Sequence, residues 1–308
     1  MTNQKSGFRR DFSHLRALTA RHVKLYFKDK QTFLTSLITP LILVALFATF
    51  LRSVYVDALA LALGEVKLPD KLVNGFVAGW MVSSILGTSS VTIAFCSQTL
   101  MVADKAEKRV EDFRITPVKP AVLSLSYFFA TVFSTLLVCS ACFAVGLIYI
   151  AISGWYLSFL DILSAIGCLL LCAAFGSLLA MIVESFLSRM GAASAVATLV
   201  SSLYGFVCGA YMPISQFSSA IANFVALVPG THGVTLFRQA FMNGAIEEMG
   251  KYASAEAIEG VKEGFDNVLY LFGHEIPTYA HYLVLGGAVV VLTVVFLLVV
   301  RLTSRKKN

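Results

Sequence analysis

Cys139 and Cys142 stand three residues apart in the run CSAC, a spacing that can do metal chemistry. On a helix the two sulfurs share a face, and such a pair is half of a tetrahedral zinc site. No second pair follows and no histidine is near in sequence, so packing inside an apolar helix is the better reading. The remaining cysteines, Cys96, Cys168, Cys172 and Cys208, also fall in or beside apolar runs and suggest no disulfide framework. The five histidines, His14, His22, His232, His274 and His281, do not pair at ligand spacing. Asp161 and Glu184 stand near opposite ends of one apolar run, which disfavours a proton relay through its middle. An enzyme acting on lipid would need such groups clustered at one depth. No Gly-x-x-x-x-Gly-Lys-Ser/Thr occurs, so the chain has no phosphate-cradling loop of that type and no cofactor is expected on it.

The densest polar feature is DKAEKRVEDFRITPVKP, residues 104–120, with nine charges in seventeen residues. Val102, Ala106, Val110 and Phe113 recur at helical spacing, which predicts a short amphipathic helix with Lys108 and Asp112 paired at i,i+4. Pro117 and Pro120 end it. Two readings fit: a solvated loop helix, or a lever presenting a mixed-charge face to a soluble partner.

The elements that would carry this stretch are membrane spans. The chain has 308 residues, of which 57% are hydrophobic and 14% charged. Six apolar runs, Phe33–Leu51, Leu72–Leu100, Ala121–Ile152, Tyr156–Val183, Met190–Met212 and Tyr279–Leu302, are long enough to cross a bilayer as helices. The first 30 residues are polar and basic and do not read as a cleavable signal. Of the 24 Lys and Arg residues, eight lie in 1–30, five in 104–120, one at Arg189 and four in the tail at Arg301, Arg305, Lys306 and Lys307. Both termini and the charged stretch are therefore expected in the cytoplasm. The basic excess answers to topology and anionic lipid, not to nucleic acid. Gly75-x-x-x-Gly79 reads equally as a helix-dimer face and as coincidence.

EKRVEDFRITPVKP resembles the first cytoplasmic loop of membrane subunits of type-2 ATP-binding-cassette exporters of the drug-resistance kind. Glu107, Thr116, Pro117 and Val118 carry the resemblance. Where that family commonly has a glycine, Arg109 and Val110 stand instead. Residues 9–34 look like its amphipathic N-terminal helix, with Phe12, Leu15, Leu18, Val23 and Phe27 as a rough apolar stripe. In residues 209–242, Pro213, Ile214, Ser215, Pro229 and Arg238 match a third stretch. That region is apolar but broken by Pro229, Gly230 and Gly233, which fits two re-entrant half-helices or a loop lying on the surface. Residues 243–278 are acidic and suggest a small helical cap.

The resemblance implies one all-α polytopic membrane domain, 1–308, with an interfacial helix over 1–30, a coupling helix over 101–120 and a re-entrant hairpin and cap over 213–278. It implies a permease subunit that moves an amphipathic drug, antibiotic, lipid or peptide outward across the cell membrane. ATP and Mg would bind a separate cytoplasmic subunit, and a second permease subunit would complete the pathway. Coupling would fall to Glu107, Lys108, Arg109, Glu111, Asp112, Phe113, Arg114, Thr116 and Pro117, with Glu184 and Arg189 from the next loop. Ser89, Ser90, Thr92, Ser201, Ser202 and Tyr204 would line the pathway. The rival readings are a non-transporting membrane anchor and an intramembrane lipid enzyme.

Overall fold

The computed structural model describes residues 2–64 and 66–305. Lys306 and Lys307, counted above for orientation, lie outside them. Twelve helices and one small hairpin make up the described chain. They begin with α1 (Thr2–Lys28) and α2 (Lys30–Leu46), which runs through a π turn at Phe47–Leu51 into α3 (Arg52–Leu63). Then come α4 (Asp70–Ala106), α5 (Arg109–Arg114), α6 (Pro120–Ser153), α7 (Phe159–Ser185) and α8 (Met190–Val207). The chain finishes with α9 (Ser219–Ala226), α10 (Pro229–Met249), α11 (Ala255–Gly264), β1 (Leu269–Leu271), β2 (His274–Ile276) and α12 (Thr278–Arg305).

Local chemistry sets the breaks. Asp29 stops α1 and caps α2: its Oδ1 accepts from the amides of Gln31 at 3.1 Å and Thr32 at 3.2 Å. Lys108 takes a left-handed φ of 60° and separates α4 from α5. Pro120 opens α6 and Pro229 opens α10, each at a first-turn position where the missing N–H costs nothing. Ser158 and Asp161 form a capping box on α7, so Asp161 is a helix cap.

Five helices, α4, α6, α7, α8 and α12, are long and apolar enough to cross a membrane. The expected first span corresponds to α2, which at 17 residues is short by itself but continues without interruption through the π turn. The helices α9 and α10 meet at 87°, a bend that fits a broken span as well as a re-entrant hairpin. The cap is not purely helical, because β1 and β2 pair antiparallel with Leu269 opposite Ile276.

The bundle is built around α4. Its 37 residues extend about 55 Å at 1.5 Å per residue. The helices α2, α6, α7, α8 and α10 surround it. Close approach needs glycine at several points, Gly75 and Gly79 among them. A Cβ on Gly75 would sit 2.5 Å from the carbonyl oxygen of Gly154, and one on Gly79 would sit 2.6 Å from that of Phe241. The Gly75-x-x-x-Gly79 motif thus packs α4 inside its own chain and does not form a dimer face.

Candidate coupling site and groove

At the end of the bundle that carries both termini, Asp104 is fully buried in the last turn of α4. Three donors from three other elements converge on its carboxylate. Arg21 of α1 donates at 3.1 Å, Arg109 of α5 at 3.2 Å and the Tyr127 hydroxyl of α6 at 2.6 Å. The guanidinium of Arg21 also lies over the Phe113 ring, 5.4 Å from its centroid. A short amphipathic loop is thereby fastened to the N-terminal helix and two spans through one carboxylate. Sequence reasoning counted Asp104 only as one charge among nine.

The helix α1 docks on α6 through a polar and aromatic face together with Leu18, which packs in the cluster of Leu123 and Tyr127. His22 stacks on Tyr127 with ring centroids 4.0 Å apart, and its Nδ1 lies 3.3 Å from Ser126 Oγ. Phe12 and Phe27 are exposed. Burial, assisted by the neighbouring Arg21 charge, lowers His22 to about 4, against a smaller opposing pull from Asp104.

The expected coupling residues divide. Residues 101–106 continue α4, so 101–120 is not one helix, and the left-handed Lys108 is not positioned on a common helix face with Asp112. Glu107, Lys108, Glu111, Asp112, Thr116 and Pro117 are exposed, Arg109 is 44% exposed and pairs with Glu107, and Phe113 is half-buried. The side chain of Arg114 lies outside the described residues. Ile115, not singled out from sequence, is 89% exposed beside Thr116. In the neighbouring α7–α8 loop Arg189 is exposed, but Glu184 is fully buried and offers no surface to a partner. Lys105 joins the two loops. Its Nζ donates to the carbonyl of Ser185 at 2.9 Å, closing the C-terminus of α7. Phe186 projects from this loop, 74% exposed.

The expected pathway residues also divide. Ser89, Ser90 and Thr92 are buried inside the bundle, where α4 meets its own neighbours. Ser201 and Ser202 line an open groove of about 730 Å³ between α2 and α8, floored by Cys96 and Thr99 of α4. A second pocket of about 530 Å³, mostly apolar, continues it on the side away from the termini. Leu46, Phe206 and Tyr211 line both. The Tyr211 hydroxyl donates to the Ser201 carbonyl at 3.1 Å and its ring meets Phe206 edge-on. Tyr204 instead packs against Gly230 at the bend between α9 and α10.

The far end is held by Arg238, which is fully buried in α10. It donates to Asp266 at 2.8 Å and to the Gly209 carbonyl at 2.6 Å, and it lies 4.9 Å from the Trp80 ring centroid. Asp266 also accepts from the amides of Ile214 at 2.7 Å and Ser215 at 3.3 Å, just after Pro213. Burial pushes the Asp266 carboxyl above its usual range, and Arg238 offsets part of that rise. His232 and His281, 49 positions apart, meet with Nδ1 atoms 2.8 Å apart. His232 Nε2 lies 3.0 Å from the Ala226 carbonyl. For two neutral rings, His232 donates there and His281 donates to His232. The pair fastens the hairpin to α12. Spacing in sequence could not reveal it.

Residues 13–242 match the family described as ABC-2 type transporter, across the span that holds the Asp104 cluster, the groove and Arg238. No curated protein matches the chain.

Proposed function

Because the chain belongs to the ABC-2 type transporter family and is a multi-pass membrane protein, we propose that it is the permease subunit of an ATP-driven exporter. The chain supplies the membrane component, and ATP with Mg is hydrolysed on a separate cytoplasmic subunit. The observation that carries this reading is the Asp104 cluster. One buried carboxylate links the exposed 107–117 loop to α1, α4 and α6, so a push on the loop reaches the spans through ion pairs and not through a flexible tether. Ile115 and Phe186 offer apolar anchors to the partner, while Glu107, Glu111 and Asp112 set register.

In this reading both termini and the coupling loops face the cytoplasm of the cell membrane, and a second permease subunit faces the groove. The groove changes from hydroxyl-lined to apolar along its length, which suits an amphipathic cargo such as a drug, antibiotic, lipid or peptide. The Arg238 anchor and the re-entrant hairpin roof the far end. The test is mild-detergent purification of the tagged chain from its native membrane, with assay of vanadate-sensitive ATP hydrolysis. A stoichiometric nucleotide-binding subunit is the expected result. Recovery of the chain without such a subunit, where other membrane complexes survive, overturns the reading.

A further inference from the structure

From 190 to 237 the chain carries no Lys, Arg, Asp or Glu. The short helix α9 lies in that run, beyond the end of α8 that is away from the termini. Its Val225 and Ala226 pack with Ile214 and Leu269. Its other face turns Ile221, Phe224 and Leu227 outward at i, i+3 and i+6. The polar residues of α9 are Ser219 at its start and the half-buried Asn223. A surface helix facing water carries charged or polar groups on its outer face, and α9 shows the reverse.

The β1–β2 ribbon leans on α9. Leu269 and Ile276 pair across it and pack with the inner face of α9. Tyr270 and Glu275 pair on the opposite face, where Glu275 is exposed. The two-residue turn is Phe272–Gly273, with φ of 50° and 82°. Positive φ at both positions is what a type I′ turn requires, and Asn, Asp or Gly meets it at the first position. A phenylalanine there is strained. A hydrogen bond from the Phe272 amide to Asn223 Oδ1 of α9, at 2.7 Å, holds the strained residue in place. The ring so placed is 70% exposed. Strain kept at a residue whose ring touches so little of its own chain points to a contact made outside the chain.

The neighbouring span identifies that contact. One residue, Pro277, separates β2 from α12. Only 11% of the apolar stretch of α12 is buried in its own chain, and its outward side chains begin with Tyr279 and Leu283. An aromatic at the head of such a span marks the membrane surface. The ribbon is therefore rooted at that surface. Phe272 stands four strand residues from Ile276, about 13 Å at 3.3 Å per residue.

We propose that Phe272 and the Ile221, Phe224 and Leu227 face of α9 form a wedge seated in the leaflet away from the termini, where headgroups meet acyl chains. Phospholipid covers this surface. It is held by apolar contact and not by headgroup charge, since no Lys or Arg lies on the wedge. The polar neighbours of the tip, His274 and Glu275, stay in the headgroup layer. The wedge sets the height of α9 against the bilayer and, through the bend at Pro229, that of α10. The inference rests on the membrane fold and not on the transport reading.

The test uses the full chain in phosphatidylcholine nanodiscs. Trp155→Phe removes the exposed native indole, and Phe272→Trp is added as the probe. Trp80 is buried by its own chain, and its signal is subtracted with the Trp155→Phe parent. Quenching is measured with phosphatidylcholine brominated near the top of its acyl chains and with acrylamide added to the water. The expected result is blue-shifted emission, quenched by about half or more by the brominated lipid and severalfold less sensitive to acrylamide than free tryptophan. Phe224→Trp in the same background should behave alike. Strong acrylamide quenching with none from the lipid places the tip in water and overturns the proposal. Shielding from both quenchers also overturns it and makes the face a contact with another copy of the chain. Phe272→Asn separates anchoring from folding. Asn suits the turn better than Phe, so the ribbon should stay paired, while amide exchange in α9 should rise severalfold in nanodiscs. Unchanged or slower exchange in α9 would show that the ring anchors nothing, and overturns the proposal.

Discussion

Arg109 reaches 3.2 Å across the helix break at Lys108 to donate to Asp104, so the loop that leaves α4 is tied back to the last turn of the helix it left. Arg21 reaches the same carboxylate from α1. The loop and the N-terminal helix are therefore tied to one carboxylate.

Asp104→Asn keeps the shape of the side chain and removes the charge shared by the two arginines. It should free residues 109–119 without unfolding the spans, seen as faster amide hydrogen exchange there and an unchanged elution profile. With the ATPase subunit present, coupled transport should fall tenfold or more. Charge reversal at Glu107, Arg109 and Glu111 together should give the same uncoupling. Wild-type transport in the triple variant would refute the lever.

Lys108→Gly should stabilise the loop. A lysine at φ 60° bears a steric cost of about 1–2 kcal/mol that glycine does not. Part of that gain is lost to the greater freedom of glycine in the unfolded chain. The expected gain is about 1 kcal/mol, read as greater exchange protection at residues 107–111. A loss of protection would mean that the Lys108 side chain contributes more than its backbone costs.

Acid should release α1 from α6. His22 falls to about 4 when docked, against an ordinary value of 6.5. Between those values the released state binds a proton that the docked state does not, so docking is favoured above pH 6.5 and weakens as pH falls toward 4. The full window is worth about 3 kcal/mol at 1.36 kcal/mol per pH unit. Spin labels at Arg16 and Val118 would report the separation by electron–electron resonance. His22→Phe keeps the stack on Tyr127 and should abolish the pH dependence.

Breaking the far anchor should be costly. Asp266→Asn leaves the buried Arg238 charge uncompensated, at about 3–5 kcal/mol. Arg238→Met with Asp266→Asn should be less damaging than the sum of the two single changes. A thermal double-mutant cycle in detergent measures that coupling, and additivity would show that the two side chains act independently.

The spans were legible because about 20 continuous apolar residues leave little choice in a bilayer. Leu72–Leu100 falls within α4, and the missing ends are amphipathic turns that hydropathy assigns to loops. Pro229 and Gly230 marked the break between α9 and α10 for the same reason that they open α10. Burial inside the membrane was not legible. Lipid tails are as apolar as leucine, so Ser89, Ser90 and Thr92 could not be told from lining residues by pattern alone. The Asp104 cluster escaped because its partners come from positions 83 residues before and 23 after it in sequence. The hairpin β1–β2 escaped because three-residue strands leave almost no periodicity. Glu184 read as a loop charge, since nothing local shows that α4 and α7 close over it.

The enclosure of α4 has a consequence for how this chain tolerates change. Every residue in its most apolar stretch is covered by other parts of the same polypeptide, whereas only 11% of the corresponding stretch of α12 is. A saturation mutagenesis map should therefore show two kinds of membrane helix. Along α12, exchange of one aliphatic residue for another should pass almost unnoticed. Along α4, even a methyl group added at Gly79 should be rejected, as in the interior of a water-soluble globule, and changing the lipid should not rescue it.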